Sequence, residues 1–220
     1  MNIFDIIGPI MIGPSSSHTA GAVRMGRVAW KILGEDVAKA DIGLVGSFAM
    51  TYKGHGTDKA LIAGIMGMRP DDERIPRAME LAKEAGLEYS FSQRVDSQAH
   101  PNTALLELVG KQGGSCSVEG VSIGGGNIKI TKLNGMAAAF NGDKDTLIIA
   151  LHDRPGALAS VTERLAHFGV NIGGFRLSRP RKNQLGIMTI ELDSAIEKLV
   201  VQELRELKDI VSIVYKHPAQ

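Results

Sequence analysis

Two short stretches of this 220-residue chain concentrate side chains able to hold a small polar ligand and to move a proton. The first is Gly13-Pro14-Ser15-Ser16-Ser17-His18-Thr19, in which three hydroxyls, an imidazole and a fourth hydroxyl stand directly before a helix-periodic run. Backbone N–H groups at a helix start have no intrahelical acceptor, and the helix dipole is positive there. A loop of this kind suits a carboxylate or a phosphate, and the hydroxyls supply further donors. A serine-rich helix cap has the same appearance, although five polar residues in succession exceed what capping requires. The second stretch, Ser47 to Asp58 (SFAMTYKGHGTD), places His55 between two glycines at an expected strand-to-helix corner. Glycines there permit close backbone approach, such corners collect ligands in α/β proteins, and an imidazole titrates near neutrality. A loop histidine without a role is the alternative reading. The glycine and lysine spacing is not that of a phosphate-binding P-loop.

Two further segments are weaker. His100-Pro101-Asn102-Thr103 makes a rigid polar corner before an apolar strand, as many surface turns do. Ser122-Ile123-Gly124-Gly125-Gly126-Asn127 lacks a dinucleotide-binding glycine pattern, and a hairpin turn accounts for it.

The elements that must position these residues can be read from hydrophobic periodicity. Residues 20–33 fit a helix, Ile42 to Met50 a strand, and Thr57 is placed to N-cap a helix with Asp58 in its first turn. A helix over Ile75–Ala85 and strands near 89–93, 104–109, 115–123 and 128–133 complete a larger α/β region over 1–133. Asn134 to Asp145 (NGMAAAFNGDKD), small and polar, reads as a linker.

Residues 146–220 are the most regular part. The apolar run TLIIAL is a buried strand, and the Pro155-Gly156 turn opens a helix with Leu158, Val161, Leu165 and Phe168 as its stripe. Gly169 stops that helix, strands follow at 170–178 and from Gly186 to Leu192, and Arg179–Gln184 is the turn between them. Ser194 is placed to cap a second helix facing inward through Ile196, Leu199, Val200, Leu204 and Leu207, before a last strand at 210–215. The order βαββαβ predicts a ferredoxin-like split unit.

Composition excludes several classes. Apolar residues are 44% and charged residues 22% of the chain, with a net charge of +1, so neither disorder nor an electrostatic nucleic-acid or membrane surface is indicated. The N-terminus lacks a basic region and meets Pro9 and Pro14 early, unlike a secretory signal, and the expected location is the cytoplasm. The single cysteine, Cys116, forms no internal disulfide and cannot hold a [4Fe–4S] cluster, which takes three or four thiolates.

The C-terminal segment resembles an ACT domain, through its opening strand, His152-Asp153-Arg154-Pro155-Gly156-Ala157-Leu158 and Gly169-Val170-Asn171-Ile172. That resemblance implies self-association and an amino-acid pocket at Asp153, Gly156, Ala157 and Asn171; a dimerisation unit that binds nothing is the alternative. Together, GPSSSHTAGAVRMG, GSFAMTYKGHGTDKA and HPNT resemble the β chain of bacterial iron–sulfur L-serine dehydratases. The first region is similar to that family's β domain and to the allosteric-substrate-binding domain of some phosphoglycerate dehydrogenases. The resemblance implies β-elimination of L-serine to pyruvate and ammonia, with a [4Fe–4S] cluster ligated by a partner α subunit and no metal ligand in this chain. By carry-over, His55 is the general base. Ser15, Ser16, Ser17, His18 and Thr19 line the substrate site, with loop N–H groups on the carboxylate and His100 and Asn102 as neighbours. A purely regulatory amino-acid-sensing and dimerisation subunit is the competing reading. Pyridoxal-phosphate chemistry finds no lysine in a suitable context.

Overall fold

The computed structural model describes residues 10–180 and 184–218, in two compact units that divide between Gly135 and Met136. In the first unit a single π-helical turn, Ser16–Ala20, leads into α1 (Gly21–Leu33), which Gly34 ends in the left-handed conformation at φ 78°. The chain continues through β1 (Val37–Val45), α2 (Gly46–Thr51), α3 (Thr57–Ile65), a 3₁₀ turn at Ile75–Arg77, and α4 (Ala78–Glu84). Strands β2 (Glu88–Arg94), β3 (Thr103–Gly110), β4 (Ser115–Gly124) and β5 (Asn127–Leu133) follow, and β6 (Met136–Phe140) opens the second unit. The sheet order in the first unit is β2-β1-β3-β4-β5, with β1 parallel to β2 and antiparallel to β3. On β3, Ala104, Leu106 and Leu108 are buried while Glu107 and Val109 face outward, the period-two pattern of a half-covered strand.

Helices α1 and α3 approach so closely that two glycines are required. A methyl group on Gly64 would stand 2.1 Å from the Val23 carbonyl oxygen, and one on Gly26 would stand 2.5 Å from that of Leu61. Both obstacles are backbone and cannot rotate away. The approach buries Val23, Met25 and Val28 of α1 and Leu61, Ile62 and Ile65 of α3. It also brings together the loops that precede the two helices.

Three expectations for this unit are corrected. The predicted strand Ile42–Met50 stops at Val45, and Gly46–Thr51 is a short helix. Gly46 turns the chain at φ 57°, where a Cβ would lie 2.6 Å from Pro101 Cα. Thr57 does not cap α3. Gly56, left-handed at φ 70°, holds the cap position, and Thr57 Oγ1 is buried without a partner among the described residues. The expected linker also contains β6, because Asn134 (φ 48°) and Gly135 (φ 75°) form the tight two-residue turn that starts a new strand.

The second unit has the expected βαββαβ order: β7 (Asp145–His152), α5 (Ala157–His167), β8 (Ile172–Ser178), β9 (Leu185–Leu192), α6 (Lys198–Arg205) and β10 (Ile210–Lys216). Its antiparallel sheet runs β10-β7-β9-β8, and Leu147, Ile149, Met188 and Ile190 pack under Val161, Leu165 and Leu204. The apolar faces of both helices differ from those expected. Leu158 is 39% exposed, and Ala157, Val161 and Leu165 make the buried stripe of α5. Leu199 is 51% exposed, and α6 begins at Lys198 after Glu197, without a side-chain cap from Ser194. Part of the Arg179–Gln184 turn lies outside the described residues. No helix among the described residues is long and apolar enough to cross a membrane.

Gly64→Ala tests the helix approach. The methyl improves helix propensity, yet it must displace backbone, so the variant should lose about 1–3 kcal/mol in urea unfolding. An unchanged midpoint would contradict the close packing.

Candidate functional site

The serine-rich loop folds onto its own backbone. Ser15 Oγ accepts the His18 amide at 3.1 Å, and the Ser15 carbonyl accepts the amides of Thr19 at 2.8 Å and Ala20 at 3.4 Å. The Gly21 amide bonds to the Ser16 carbonyl. Four amides that the sequence offered to an anion are therefore consumed, because the wide π turn lets Ser15 and Ser16 reach all of them. The hydroxyls of Ser16 and Ser17 make no hydrogen bond among the described residues and are the loop's open donors. Ser122 on β4 ties the loop to the sheet, its hydroxyl donating to the Ser17 carbonyl at 2.9 Å.

Across from the loop lies the glycine-flanked corner. The Thr19 hydroxyl, on a buried residue, donates to the His55 carbonyl at 3.3 Å, and the His55 amide donates to the Thr51 carbonyl at 3.0 Å. The His18 and His55 rings meet edge to face, with centroids 4.8 Å apart and planes at 86°. Phe48 packs against His18 at 5.2 Å, and His18 Nε2 lies 3.1 Å from Ser47 Oγ. His55 and Thr19 line a cavity of about 240 Å³ together with Gly13, Pro14, Lys53 and Lys59. Its volume falls just below the roughly 300–1,000 Å³ of sites for drug-sized ligands, the scale of a small metabolite. The two lysines make its rim positive, which favours a carboxylate.

The structure thus brings Ser15, His18, Thr19 and His55 together. His100 is exposed, and its Nδ1 accepts the Asn102 amide at 3.1 Å, so the ring is engaged by its own turn. Asn102 Oδ1 is buried without a partner among the described residues, while the Asn102 carbonyl accepts the Ser122 amide at 3.0 Å. The corner therefore backs the site through Ser122, and through the Pro101 carbonyl that accepts the Phe48 amide. Ser47 and the two cavity lysines were not expected. Only their place within SFAMTYKGHGTDK could have pointed to them.

In the second unit, Asp153 pairs with Arg179, and Asn171 Nδ2 donates to Asp193. Gly156 is the left-handed N-cap of α5 at φ 93°, and no atom lies within 4 Å of where its Cβ would stand. Ala157 points into the core, so it can serve a ligand through its backbone alone. A separate cleft of about 600 Å³ between α5 and α6 is lined by Ser160, Glu163, Arg164, His167, Glu203 and Leu207.

Residues of this chain do not fit an iron–sulfur cluster. Cys116 is buried on β4 with Sγ 3.8 Å from the Ala29 carbonyl, and burial pushes its thiol up to about 12, far from the thiolate a metal needs. Among the described residues no three His, Cys, Asp or Glu side chains gather around a point where an ion could sit.

Burial, followed by the neighbouring His55, lowers the proton affinity of His18 below the ordinary histidine value. The unfolded chain then binds this proton more tightly than the folded one. Stability from His18 is complete above the unfolded value of 6.5 and is lost as pH falls from there through the lower folded value. His18→Gln should flatten the decline of the urea midpoint between about pH 8 and about pH 5; a decline as steep as that of the unsubstituted chain would contradict the assignment.

Comparison with known proteins agrees with this layout. The family model described as "Serine dehydratase beta chain" matches residues 2–91, which contain the serine loop, Ser47 and His55, and the "ACT domain" model matches residues 146–209. The chain is 42% identical over 212 residues to the "Probable L-serine dehydratase, beta chain" of Bacillus subtilis (strain 168), with 96% of each covered. It is 39% identical over 194 residues to the "L-serine dehydratase, beta chain" of Peptoniphilus asaccharolyticus, covering 88% of this chain and 87% of that one. A 77-residue match to "L-serine dehydratase 2" of Escherichia coli (strain K12), 42% identical, covers 32% of this chain and 16% of that one. The chain belongs to the serine dehydratase beta chain family.

Proposed function

We propose that this chain is the β subunit of an L-serine dehydratase, a lyase that converts L-serine to pyruvate and ammonia, and that it acts in a hetero-oligomer with an α subunit. The observation that carries the reading is the meeting of the serine loop and the glycine-flanked corner at a small, positively rimmed cavity. In this reading the cavity takes serine. Lys53 and Lys59 hold the carboxylate, and His55 removes the proton from Cα as general base. The β-hydroxyl leaves with the C–O bonding electrons, and no residue of this chain is assigned to it. The aminoacrylate so formed tautomerises and hydrolyses to pyruvate and ammonia. The [4Fe–4S] cluster of this reading is held by the α subunit, since the donors here do not fit it. The second unit, in the same reading, senses serine or a related amino acid at the loop of Asp153, Gly156, Ala157 and Asn171, and associates with a second copy.

Turnover of serine to pyruvate, measured without oxygen, should require this chain and its α partner together. In the reconstituted complex His55→Ala should lower kcat by about 10²- to 10⁴-fold, the range of a lost general base. A partner fully active alone, or a complex indifferent to His55→Ala, would leave this chain a regulatory subunit.

A further inference from the structure

Both ring nitrogens of His18 lie against serine hydroxyls. Ser15 Oγ, which accepts the His18 amide, stands 3.4 Å from His18 Nδ1. The closer contact is that of His18 Nε2 with Ser47 Oγ at 3.1 Å, where the hydroxyl can either donate to the ring or accept from it. Ser47 is itself fixed on both sides. Gly46 before it is wedged on Pro101, the Phe48 amide after it bonds to the Pro101 carbonyl at 3.2 Å, and its own carbonyl accepts the Thr51 hydroxyl at 2.8 Å. Phe48 is fully buried against the His18 ring, and His55 closes another side.

The charged groups near this pair are Lys53 and Lys59 at the cavity and Asp58 in the first turn of α3. His18 makes no ion pair among the described residues. Among the described residues the ring is held by two hydroxyls and by the packing of Phe48 and His55.

We propose that Ser47 is a positioning residue, holding the His18 ring edge to face against His55 so that His55 keeps its orientation at the cavity. The inference rests on the reading of His55 as the base. It adds that the orientation of that base depends on a hydroxyl that need not touch serine.

The test has two arms. In the full-length chain, ¹⁵N imidazole spectra should resolve His18 and His55, and Ser47→Ala should shift the resonances of both rings. In the complex with the α subunit, Ser47→Ala should lower kcat about ten- to a hundredfold with KM within about twofold. Ser47→Thr should restore kcat and the wild-type spectra. Ser47→Cys, near in size and weak as an acceptor, should reproduce the alanine result if the alanine variant folds poorly. Wild-type His18 spectra together with wild-type kcat in Ser47→Ala or Ser47→Cys would overturn the proposal. Full activity in His55→Ala would instead overturn the base reading, and the His18 spectra would still decide whether Ser47 holds the ring in place.

Discussion

The first unit depends on the contact of α1 with α3 at Gly26 and Gly64. Neither helix carries a complete site. The serine loop ends where α1 begins, and the glycine-flanked histidine ends where α3 begins. The rings of His18 and His55 stand 4.8 Å apart because the helix backbones behind them touch with no side chain between. A packing constraint several residues from the cavity thus sets the distance between the two groups on which the proposed chemistry relies.

The local environment then makes the two histidines unequal. His18 is half-buried, backed by Phe48 and held by two serines, whereas His55 is exposed at the cavity. Desolvation acts on the first and lowers its proton affinity. The exposed ring faces the space where a ligand can lie. In the proposed reading one imidazole is scaffold and the other exchanges the proton, although their sequence contexts look equally suited to chemistry.

The sequence made much of this legible, through signals with a strong physical basis. The βαββαβ unit follows from clean periodicity, and the two motifs stand out because Ser-Ser-Ser-His-Thr and Gly-His-Gly are costly to explain as surface loops. The misreadings have local causes. SFAMT is as apolar as a strand, and only the contact of Gly46 with a residue 55 positions later bends it into a helix. Asn134-Gly135 is a turn signal that the small residues after it disguised as linker. The stripe of α5 is displaced from Leu158 to Ala157, because a small buried residue carries little hydrophobic signal. Ser47 was illegible as a partner for His18, since a bond between residues 29 apart leaves no trace in local pattern.

The bond from Ser122 to the Ser17 carbonyl joins residues separated by 105 positions. Closing a loop of that length carries an entropic penalty that is recovered only after the strands between have paired. The serine loop therefore acquires its final shape late in folding, after β1, β3 and β4 have aligned. A nascent chain emerging from the ribosome holds every residue of both motifs well before β4 is made, and it remains without an assembled pocket until then.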